Sequence, residues 1–282
     1  MPAHYSGTSF AKQFGAWAVI AGGSDGIGGA FAKDAAARGL NVAIIARRAE
    51  PLEKLASQIA SEYAVETRTI QADLTSQDMV AQIAAATDDL DVGLFVYNAG
   101  SSLHTAGFLD QSVEDANFLV DLSCRAPTLL AHHFGTRLRA RGRGGMIFMS
   151  SLACLAGNGL QATYAATKAF DTTFAEGLWI ELAPQGVDVM SVLAGATRTE
   201  TMLDQKASKF EDAMDPTLVA QGAFDHLGKG PNWVPGDDNQ AAAKGLWPVP
   251  RVAVVNAMSQ ATAALFDLPM KPVEGREFHE ND

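Results

Sequence analysis

Residues 16–28 read AWAVIAGGSDGIG, an apolar run that passes through a glycine-rich turn directly into a helical pattern. Glycine suits such a turn because the chain must bend sharply and bring its backbone amides close to a ligand. The N-terminus of the following helix adds partial positive charge, which favours a phosphate. The stretch therefore predicts a strand, a turn and a helix that bind the pyrophosphate of a dinucleotide, with a tight turn that binds no ligand as the alternative. The residues assigned to this contact are Gly22, Ser24, Asp25, Gly26 and Ile27.

Short apolar runs continue to alternate with helical patterns beyond this stretch. Strands are predicted at 16–21, 41–46, 65–71, 91–97, 145–150, 187–193 and, more weakly, 232–235. Helices are predicted at 28–38, 51–63, 76–86, 112–141 in two pieces, and 163–183. Repeated strand–helix–strand units are typical of an α/β fold with a parallel sheet. We therefore expect a single domain over residues 1–282.

The alternation breaks between residues 200 and 250, where prolines and glycines are expected to interrupt any long element. We interpret 200–250 as a segment that covers the substrate, and 269–282 as a loose polar tail. Large apolar side chains in or beside the covering segment could line a pocket for an apolar substrate, and core packing is the alternative. These side chains are Met202, Leu203, Phe210, Trp233 and Trp247.

The composition excludes several classes of protein. Of the 282 residues, 48% are hydrophobic and 19% charged, a balance that favours a globular chain over a disordered one. The 32 acidic residues outnumber the 21 basic ones, and the net charge of −11 argues against nucleic acid and anionic lipid as partners. No apolar run reaches the roughly 18–20 residues of a membrane helix, and residues 1–16 lack the pattern of a signal peptide. We therefore expect a cytoplasmic protein that acts on a small molecule.

The cysteines and histidines show neither disulfide nor metal spacing. Cys124 and Cys154 lie in apolar surroundings without a Cys-x-x-Cys pattern. His104, His132 and His133 have no acidic or cysteine partners at metal spacing, and we interpret them as structural or surface residues. No metal site is predicted.

A tyrosine, a lysine and a serine form the candidate catalytic group. Tyr164 and Lys168 are four residues apart and share one helix face, and Ser151 follows a predicted strand shortly before them. Free tyrosine has a pKa of about 10 and is a poor proton carrier at neutral pH, but a lysine ammonium and an oxidised nicotinamide both favour the tyrosinate. Tyr164 would then exchange a proton with the oxygen of a carbonyl or alcohol substrate. Ser151 would hydrogen-bond the same oxygen, and Lys168 would also hold the nicotinamide ribose.

Three features together carry a family resemblance: the spacing Gly22-x3-Gly26-x-Gly28, the triplet Asn98-Ala99-Gly100 at a strand end, and the group Ser151, Tyr164 and Lys168. The chain resembles the short-chain dehydrogenase/reductase superfamily from about residue 16 to residue 199. The resemblance implies a Rossmann-type, doubly wound parallel sheet of about seven strands with helices on both faces, in a single domain with a C-terminal substrate lid. It also implies hydride transfer with NAD(P), and a homodimer or homotetramer formed through the long helices.

The resemblance assigns further residues to the cofactor. Asp73 would hydrogen-bond the adenine and Leu74 would pack on it, with a helix N-cap as the alternative role of Asp73. Asn98, Ala99 and Gly100 would lie against the cofactor, and Asn98 would also tie neighbouring strand ends together. The residues assigned to the nicotinamide end, after the sixth strand, are Gly195, Thr197 and Thr199.

The end of the second strand bears on the choice between NADP and NAD. The strand ends in Arg47-Arg48, without the carboxylate that usually binds the ribose 2′-hydroxyl of NAD. The planar guanidinium of Arg47 suits a 2′-phosphate, so the pattern favours NADP(H) over NAD(H), and both Arg47 and Arg48 are assigned to the cofactor. The alternative is that both arginines only begin a solvated helix face. Asp25 stands where many NADP-using members of the family carry Lys or Arg, and its charge would instead suit the helix N-terminus.

Two further positions depart from the family pattern. The family commonly has an Asn that helps to position a water linked to the lysine, whereas this chain has Ser123, whose hydroxyl can still donate and accept in a proton relay. The family usually reads Pro-Gly after the sixth strand, whereas this chain has Ala194-Gly195, which is expected to loosen the loop without removing its polar groups.

The sequence as a whole predicts an NADP(H)-preferring oxidoreductase that interconverts a ketone or aldehyde and an alcohol. Residues 15–19, followed by Ser24-Asp25-Gly26, are similar to the branch that contains 3-ketoacyl and hydroxysteroid reductases, which points to a bulky apolar carbonyl substrate. One alternative is an NAD-dependent alcohol or diol dehydrogenase. The other is a sensor or scaffold that binds NADP(H) without turnover.

Overall fold

A parallel sheet forms the centre of the protein, for which a computed structural model describes residues 7–100, 105–204, 211–246 and 251–269. Its strands are β1 (Trp17–Ala21), β2 (Asn41–Ala46), β3 (Thr67–Gln71), β4 (Val92–Tyr97), β5 (Gly144–Ser151), β6 (Val187–Ala194) and β7 (Asn232–Trp233). Within the described ranges these seven strands lie in the order β3-β2-β1-β4-β5-β6-β7, and every neighbouring pair is parallel. All the predicted strands are present, with small differences at their ends.

Helices connect the strands and flank the sheet. They are α1 (Gly7–Phe14), α2 (Gly26–Ala37), α3 (Ala49–Tyr63), α4 (Met79–Thr87), α5 (Val113–Val120), α6 (Ala126–Arg141), α7 (Ala162–Leu182), α8 (Glu200–Asp204), α9 (Pro216–His226), α10 (Asp237–Leu246) and α11 (Arg251–Leu265). The stretch predicted as a long helix in two pieces is α5 and α6, joined by a π-helical turn at Asp121–Arg125.

Apolar side chains cover both faces of the sheet. Ala18 and Ile20 of β1 pack on one face with side chains of α2, α3 and α9, whereas Val19 and Ala21 pack on the other with side chains of α4 and α6. Successive strand residues point to opposite faces, so a strand buried on both sides reads as a continuous apolar run. The doubly wound Rossmann-type architecture is therefore confirmed.

Helix α1 was not predicted. Phe10 and Phe14, four residues apart on this helix, are fully buried and lie with their ring centroids 4.6 Å apart. Phe10 also meets the ring of Phe224 on α9, at 5.3 Å. The helix has only eight residues, so its stability depends on tertiary packing.

The region of prolines after residue 210 holds more helix than expected. Helices α9 and α10 have 11 and 10 residues, although we expected prolines and glycines to interrupt any long element there. Pro216 is the first residue of α9, a position where a missing N–H costs nothing. Asp215 caps the helix by accepting a hydrogen bond from the Thr217 N–H at 2.8 Å.

The strand order reverses at β1, with β2 and β3 on one side and β4 to β7 on the other. Ligands of open α/β sheets bind outside the carboxyl ends of the strands at such a point. The segments that follow β1, β4, β5 and β6 all leave the sheet at this edge, because the strands are parallel. The fold therefore brings four separate predicted motifs to one crevice.

The described residues contain neither a membrane-spanning helix nor a metal-binding cluster. No helix among them is long and apolar enough to span a membrane. They also contain no group of three or more His, Cys, Asp or Glu side chains arranged to hold a metal ion. His104, Phe210, Trp247 and residues 270–282 lie outside the described ranges.

Candidate active site

The turn after β1 is held against the end of β2. The backbone N–H groups of Gly22 and Gly23 both donate to the Ile45 carbonyl, at 2.9 and 3.2 Å. Gly22 (φ +79°) and Gly26 (φ +53°) adopt a left-handed backbone conformation that favours glycine. A Cβ on Gly28 would lie 2.0 Å from the Gly22 carbonyl oxygen. Helix α2 can begin this close to the turn only because residue 28 is glycine.

Asn98 links the ends of β1 and β4. Its Nδ2 donates to the Gly22 carbonyl at 2.8 Å, and its backbone N–H donates to the Ala21 carbonyl at 2.9 Å. A Cβ on Gly22 would lie 2.7 Å from the backbone of Ala99, so the two turns are in contact. The predicted glycine turn and the predicted Asn-Ala-Gly motif therefore form one continuous surface.

Asp25 is the N-cap of α2. Its Oδ1 accepts a hydrogen bond from the Gly26 N–H at 2.5 Å, where its charge also suits the positive end of the helix. A side-chain hydrogen bond with Asp25 and the negative charge of Asp25 raise the pKa of Glu200, at the start of α8. A Cβ on Gly26 would lie 2.9 Å from Thr199 Cγ2, so this end of α8 lies over the glycine turn. The two other residues assigned to the turn, both half-buried, are Ser24 and Ile27.

Arg47 and Arg48 follow β2 as exposed side chains at the rim of the crevice. The guanidinium carbon of Arg47 lies 5.6 Å from the ring centroid of Phe118 on α5. Arg47 acts electrostatically on Asp73, and Arg48 acts on Glu200. The two arginines therefore face different parts of the rim, with Arg47 on the side of the residues predicted to bind adenosine.

Asp73 forms a turn, and the prediction that it could cap a helix is wrong. Its Oδ1 accepts hydrogen bonds from the N–H and the hydroxyl of Thr75, at 2.9 and 2.8 Å, whereas α4 begins only at Met79. These bonds, with a smaller contribution from the charge of Arg47, hold the pKa of Asp73 below its usual value. Leu74 is buried in the core with Met79.

The candidate catalytic group lies where α7 packs along the end of β5. Ser151 ends β5, and its Oγ accepts a hydrogen bond from the Ala153 N–H at 3.2 Å. Ser150 Oγ donates to the Lys168 carbonyl at 2.7 Å, which attaches α7 to the strand. Lys168 Nζ lies 5.9 Å from the ring centroid of Tyr164, one helical turn away. The structure therefore brings the three predicted residues to the same edge of the sheet.

Two acceptors hold the buried ammonium of Lys168. Nζ donates to the Met149 carbonyl at 2.8 Å and to Asp171 Oδ2 at 3.0 Å. Burial lowers the pKa of Lys168, but attraction to Asp171 and Tyr164 outweighs burial, so the pKa lies above its usual value. Sequence reasoning missed Asp171, because an acid three residues after a lysine on a helix is commonly a solvent-exposed pair.

Ser123 lies in the π-helical turn and is buried next to the lysine. A Cβ on Gly100 would lie 2.9 Å from Ser123 Oγ and 3.4 Å from Lys168 Nζ. The Ser123 hydroxyl has no hydrogen-bond partner among the described residues. The sequence did not predict this π-helical turn, in which the backbone winds more widely than in an α-helix.

The residues assigned to the nicotinamide end share one segment between β6 and α8. Thr197 Oγ1 donates to the Gly195 carbonyl at 3.1 Å, and Thr197 pairs with Met214 in a parallel bridge. A Cβ on Gly195 would lie 2.7 Å from the Asn239 side chain of α10. Thr199 Oγ1 accepts a hydrogen bond from the Met202 N–H of α8, at 3.2 Å.

The remaining candidates are the large apolar side chains of the covering segment, the histidines and the cysteines. Met202 is buried beside Ala213, and Trp233 stacks on His226 with ring centroids 4.7 Å apart, so both follow the core-packing alternative. Leu203, in contrast, is 57% exposed. His132 and His133 lie on α6, and both cysteines are free.

Helix α11, also missed by sequence reasoning, packs beside the loop that precedes Tyr164. Asn158 Nδ2 donates to Thr262 Oγ1 at 2.7 Å, and the Gly159 N–H donates to Ser259 Oγ at 2.7 Å. The partners are 104 and 100 residues apart in the chain, so no local pattern could signal these contacts. The surroundings of the site therefore extend beyond the expected covering segment.

The residues present fit a nicotinamide dinucleotide. The glycine turn is a cradle that a Cβ at residue 22, 26 or 28 would fill, and it lies at the positive end of α2. Arg47 and Asp73 would hold the adenosine end. Lys168, beside Gly100, would hold the ribose at the nicotinamide end.

The sequence profile of the short chain dehydrogenase family matches residues 16–210. The chain therefore belongs to the short-chain dehydrogenase/reductase family, and it is an oxidoreductase that uses a nicotinamide cofactor.

The chain is similar to hydroxysteroid dehydrogenases and to a protein described as inactive. A 7beta-hydroxysteroid dehydrogenase of Clostridium sardiniense is 35% identical over 84% of this chain and 91% of its own length. The human inactive hydroxysteroid dehydrogenase-like protein 1 is also 35% identical, over 64% of this chain and 56% of its own length.

Solved structures with the same fold include three at 28–32% identity. A structure concerned with 7beta-hydroxysteroid dehydrogenase stereoselectivity has a TM-score of 0.82 at 28% identity, over 88% of this chain and 98% of its own. A Sphingobium yanoikuyae short-chain dehydrogenase in complex with NADPH has 0.72 at 30%, over 83% and 96%. The bulky-bulky ketone specific alcohol dehydrogenase of Comamonas testosteroni has 0.70 at 32%, over 83% and 94%.

Proposed function

We propose that the protein is an NADP(H)-preferring reductase of bulky, apolar ketones or aldehydes, with Tyr164 as its general acid and base. One observation carries the proposal: the helix of Tyr164 and Lys168 is joined by contacts to the glycine turn. Lys168 Nζ lies beside Gly100, and the preceding Ala99 touches Gly22. The proton-donating group and the cofactor cradle thus belong to one crevice.

The side chains of this crevice divide the chemistry between them. In reduction, the Tyr164 hydroxyl donates its proton to the substrate oxygen, and the Ser151 hydroxyl hydrogen-bonds the same oxygen. The bound cofactor supplies the hydride. The Lys168 ammonium stabilises the tyrosinate that remains, because opposite charges at short range favour the ionised form. In the opposite direction, the tyrosinate accepts the proton of the alcohol.

The preference for NADP(H) rests on the rim of the crevice. Arg47 is exposed beside Asp73, and its guanidinium fork matches a phosphate. Asp25 is already engaged with the Gly26 N–H at the start of α2, which gives this acid a role other than binding a ribose. The structure of a relative in complex with NADPH adds support.

Arg47→Ala is expected to weaken NADPH binding and to leave NADH binding nearly unchanged, because only NADPH carries the 2′-phosphate. A hydrogen bond to a charged group contributes about 1.5–3 kcal/mol, so the dissociation constant of NADPH should rise by roughly 10- to 150-fold. Titration of both cofactors by fluorescence measures the effect. Arg48→Ala is the matched control and should discriminate less; equal losses for NADPH and NADH in Arg47→Ala would contradict the assignment.

A bulky apolar substrate is proposed from the surroundings of the site and from the relatives. Residues 200–250 would cover the substrate, with the exposed Leu203 as one apolar contact. Two proteins to which the chain is similar carry names that refer to a hydroxysteroid and to bulky-bulky ketones.

A substrate panel tests the proposed function directly. NADPH and NADH oxidation would be followed with ketones and aldehydes from small aliphatic compounds to steroid and aryl ketones, and the reverse reaction with the matching alcohols and diols. We expect turnover with NADPH that increases with the apolar bulk of the ketone. Turnover restricted to NAD and small alcohols or diols would instead favour the NAD-dependent alternative.

A binding protein without turnover is the second candidate. It is favoured by the relative whose name describes it as inactive and by Ser123 at the family's Asn position. This candidate predicts NADPH binding of ordinary affinity and no turnover with any member of the panel in either direction.

We also propose a homodimer or homotetramer in the cytoplasm. Exposed apolar side chains on α5, α6 and α7 support contacts between copies; they are Val120, Leu129 and Ile180. Light scattering during size-exclusion chromatography measures the mass of the assembly, and a monomer at micromolar concentration would contradict the proposal.

A further inference from the structure

Asp171 is a buried acid in the middle of the candidate active site. Its side chain is 1% exposed, and Oδ2 lies 3.0 Å from Lys168 Nζ. Carboxylates are rarely buried unless they are paired or serve a site. Asp171 belongs to none of the motifs by which the sequence resembles its family, and the proposed mechanism does not require it to touch the substrate.

The contacts of Lys168 explain what Asp171 does to the lysine. An ammonium can donate three hydrogen bonds. Lys168 donates one to Asp171 Oδ2 and one to the Met149 carbonyl. These acceptors come from different elements, α7 and β5, so together they restrict the position of Nζ. A third N–H is left for groups on the Tyr164 side, where the ring centroid is 5.9 Å away.

The other oxygen of Asp171 is unsatisfied within the described residues, and so is the Ser123 hydroxyl. Both atoms are buried around the same lysine, since Ser123 Oγ and Nζ lie 2.9 and 3.4 Å from the position of a Cβ on Gly100. The family resemblance implies an Asn side chain at position 123, which reaches further than a serine. The lysine of this chain therefore has a neighbouring carboxylate on one side and a shortened side chain on the other.

We propose that Asp171 is a positioning residue for the reaction, which holds the Lys168 ammonium in place and sets the charge that Tyr164 experiences. The inference rests on the proposed function, because it takes Tyr164 as the group that exchanges the proton. In the chain as it stands, Lys168 and Asp171 form an internal ion pair, and the carboxylate cancels part of the field of the ammonium at Tyr164.

The charge of the pair depends on pH. Burial raises the pKa of Asp171, and the nearby Lys168 ammonium lowers it again, to about 6. Below that pH the carboxyl is neutral and the ammonium acts on Tyr164 alone; above it, the carboxylate opposes the ammonium. Within the part of the chain that the structure describes, the other ionisable groups that face Asp171 are Tyr97 of β4 and Cys124 of the π-helical turn. The pKa of each is raised by burial and, to a smaller extent, by the charge of Asp171. Neither group carries charge near pH 6.

Asp171→Asn removes the charge and keeps an oxygen that can accept from Lys168. In the oxidation direction, the pH midpoint of kcat/KM should fall by about one unit, because the unopposed ammonium favours the tyrosinate. The inflection near pH 6 should disappear from the profile. The dissociation constant of NADPH at pH 7 should stay close to that of the wild type, because the asparagine oxygen still restrains Lys168.

Infrared spectroscopy of the protein without cofactor gives a readout that does not depend on activity. The wild type should show the carbonyl band of a protonated carboxyl that titrates near pH 6, and Asp171→Asn should lack it. Lys168→Met should move this titration to higher pH, because the ammonium that lowers the pKa of Asp171 is gone. Circular dichroism would verify that each variant is folded.

Asp188→Asn is the matched control. Asp188 is partly buried, burial raises its pKa as it does that of Asp171, and its Oδ2 lacks a partner within the described residues. It lies at the opposite end of the strands, near the start of β6. Its substitution should leave the pH profile unchanged.

An unchanged pH midpoint in a folded Asp171→Asn variant would overturn the inference and leave the proposed function intact. If that variant does not fold, a carboxyl titration that Lys168→Met fails to move would overturn the inference, and a shift would support it. If the wild type turns over no substrate, the proposed function fails, and the inferred role in the reaction fails with it, whatever the infrared titration finds.

Discussion

Tyr164→Phe is expected to reduce kcat for carbonyl reduction by about 10²–10⁴-fold, the usual contribution of a positioned acid or base. The substitution removes only the hydroxyl oxygen, so the helix and the half-buried ring remain in place. NADPH should bind to the variant with wild-type affinity, because Lys168 and the glycine turn are unaffected. Stopped-flow or steady-state NADPH oxidation with the best ketone of the panel, together with a fluorescence titration, separates the two quantities.

Tyr63→Phe is the matched control for this prediction. Tyr63 is the last residue of α3 and packs against the core on the face of the sheet opposite to α7. The same chemical change there should leave kcat and KM unaltered. A Tyr164→Phe variant that retains full kcat would exclude Tyr164 as the general acid, whereas equal losses of kcat and NADPH affinity would indicate a disturbed cofactor site.

Gly28→Ala is expected to damage the cofactor cradle severely. The added Cβ would lie 2.0 Å from the Gly22 carbonyl oxygen and 2.6 Å from Asn98 Nδ2, so the turn after β1 must move away from α2. Overpacking of this kind costs about 1–3 kcal/mol, and NADPH binding should weaken by roughly 5- to 150-fold if the bound state bears that cost. Calorimetric titration with NADPH and a thermal melt measure the two consequences.

Gly29→Ala tests whether the effect comes from the close approach at position 28. Residue 29 belongs to the same helix, but the nearest atom to its Cβ would be Leu55 Cδ2 at 3.6 Å, an ordinary contact. Alanine is the better helix former by up to about 1 kcal/mol, so the variant should bind NADPH normally and melt no lower than the wild type. If both variants lost binding equally, the close approach at position 28 would not be the cause.

Several features of the site could be predicted because they are local. The glycine turn lies between an apolar run and a helical pattern, and its glycines have no Cβ. Both properties are visible in residues 16–28. The four-residue spacing of Tyr164 and Lys168 places them on one face of any helix. The preference for NADP(H) was likewise predicted from two adjacent residues, Arg47 and Arg48, which stand where a carboxylate would favour NAD.

Other features required the folded chain. Asp73 lies before a helix in the sequence, but α4 starts at Met79, because Asp73 first forms a turn with Thr75. In the sequence Pro216 suggests an interruption, but in the structure it is the first residue of α9, and Asp215 caps that helix. An acid or a proline has more than one favourable local role, and the neighbouring backbone decides between them.

Residue patterns were enough to predict the fold class, the parallel sheet and the candidate catalytic side chains, because periodicity and the chemistry of single residues are properties of short segments. Which charges are buried and which distant segments meet could be found only from the packing of the folded chain. In the sequence Asp171 resembles an exposed helical acid, but in the fold its side chain is buried beside Lys168, whose ammonium also donates to a carbonyl of β5. Helix α11 likewise meets the loop before Tyr164 across about a hundred residues. Burial and long-range contact depend on the whole packing of the chain, so no short segment encodes them.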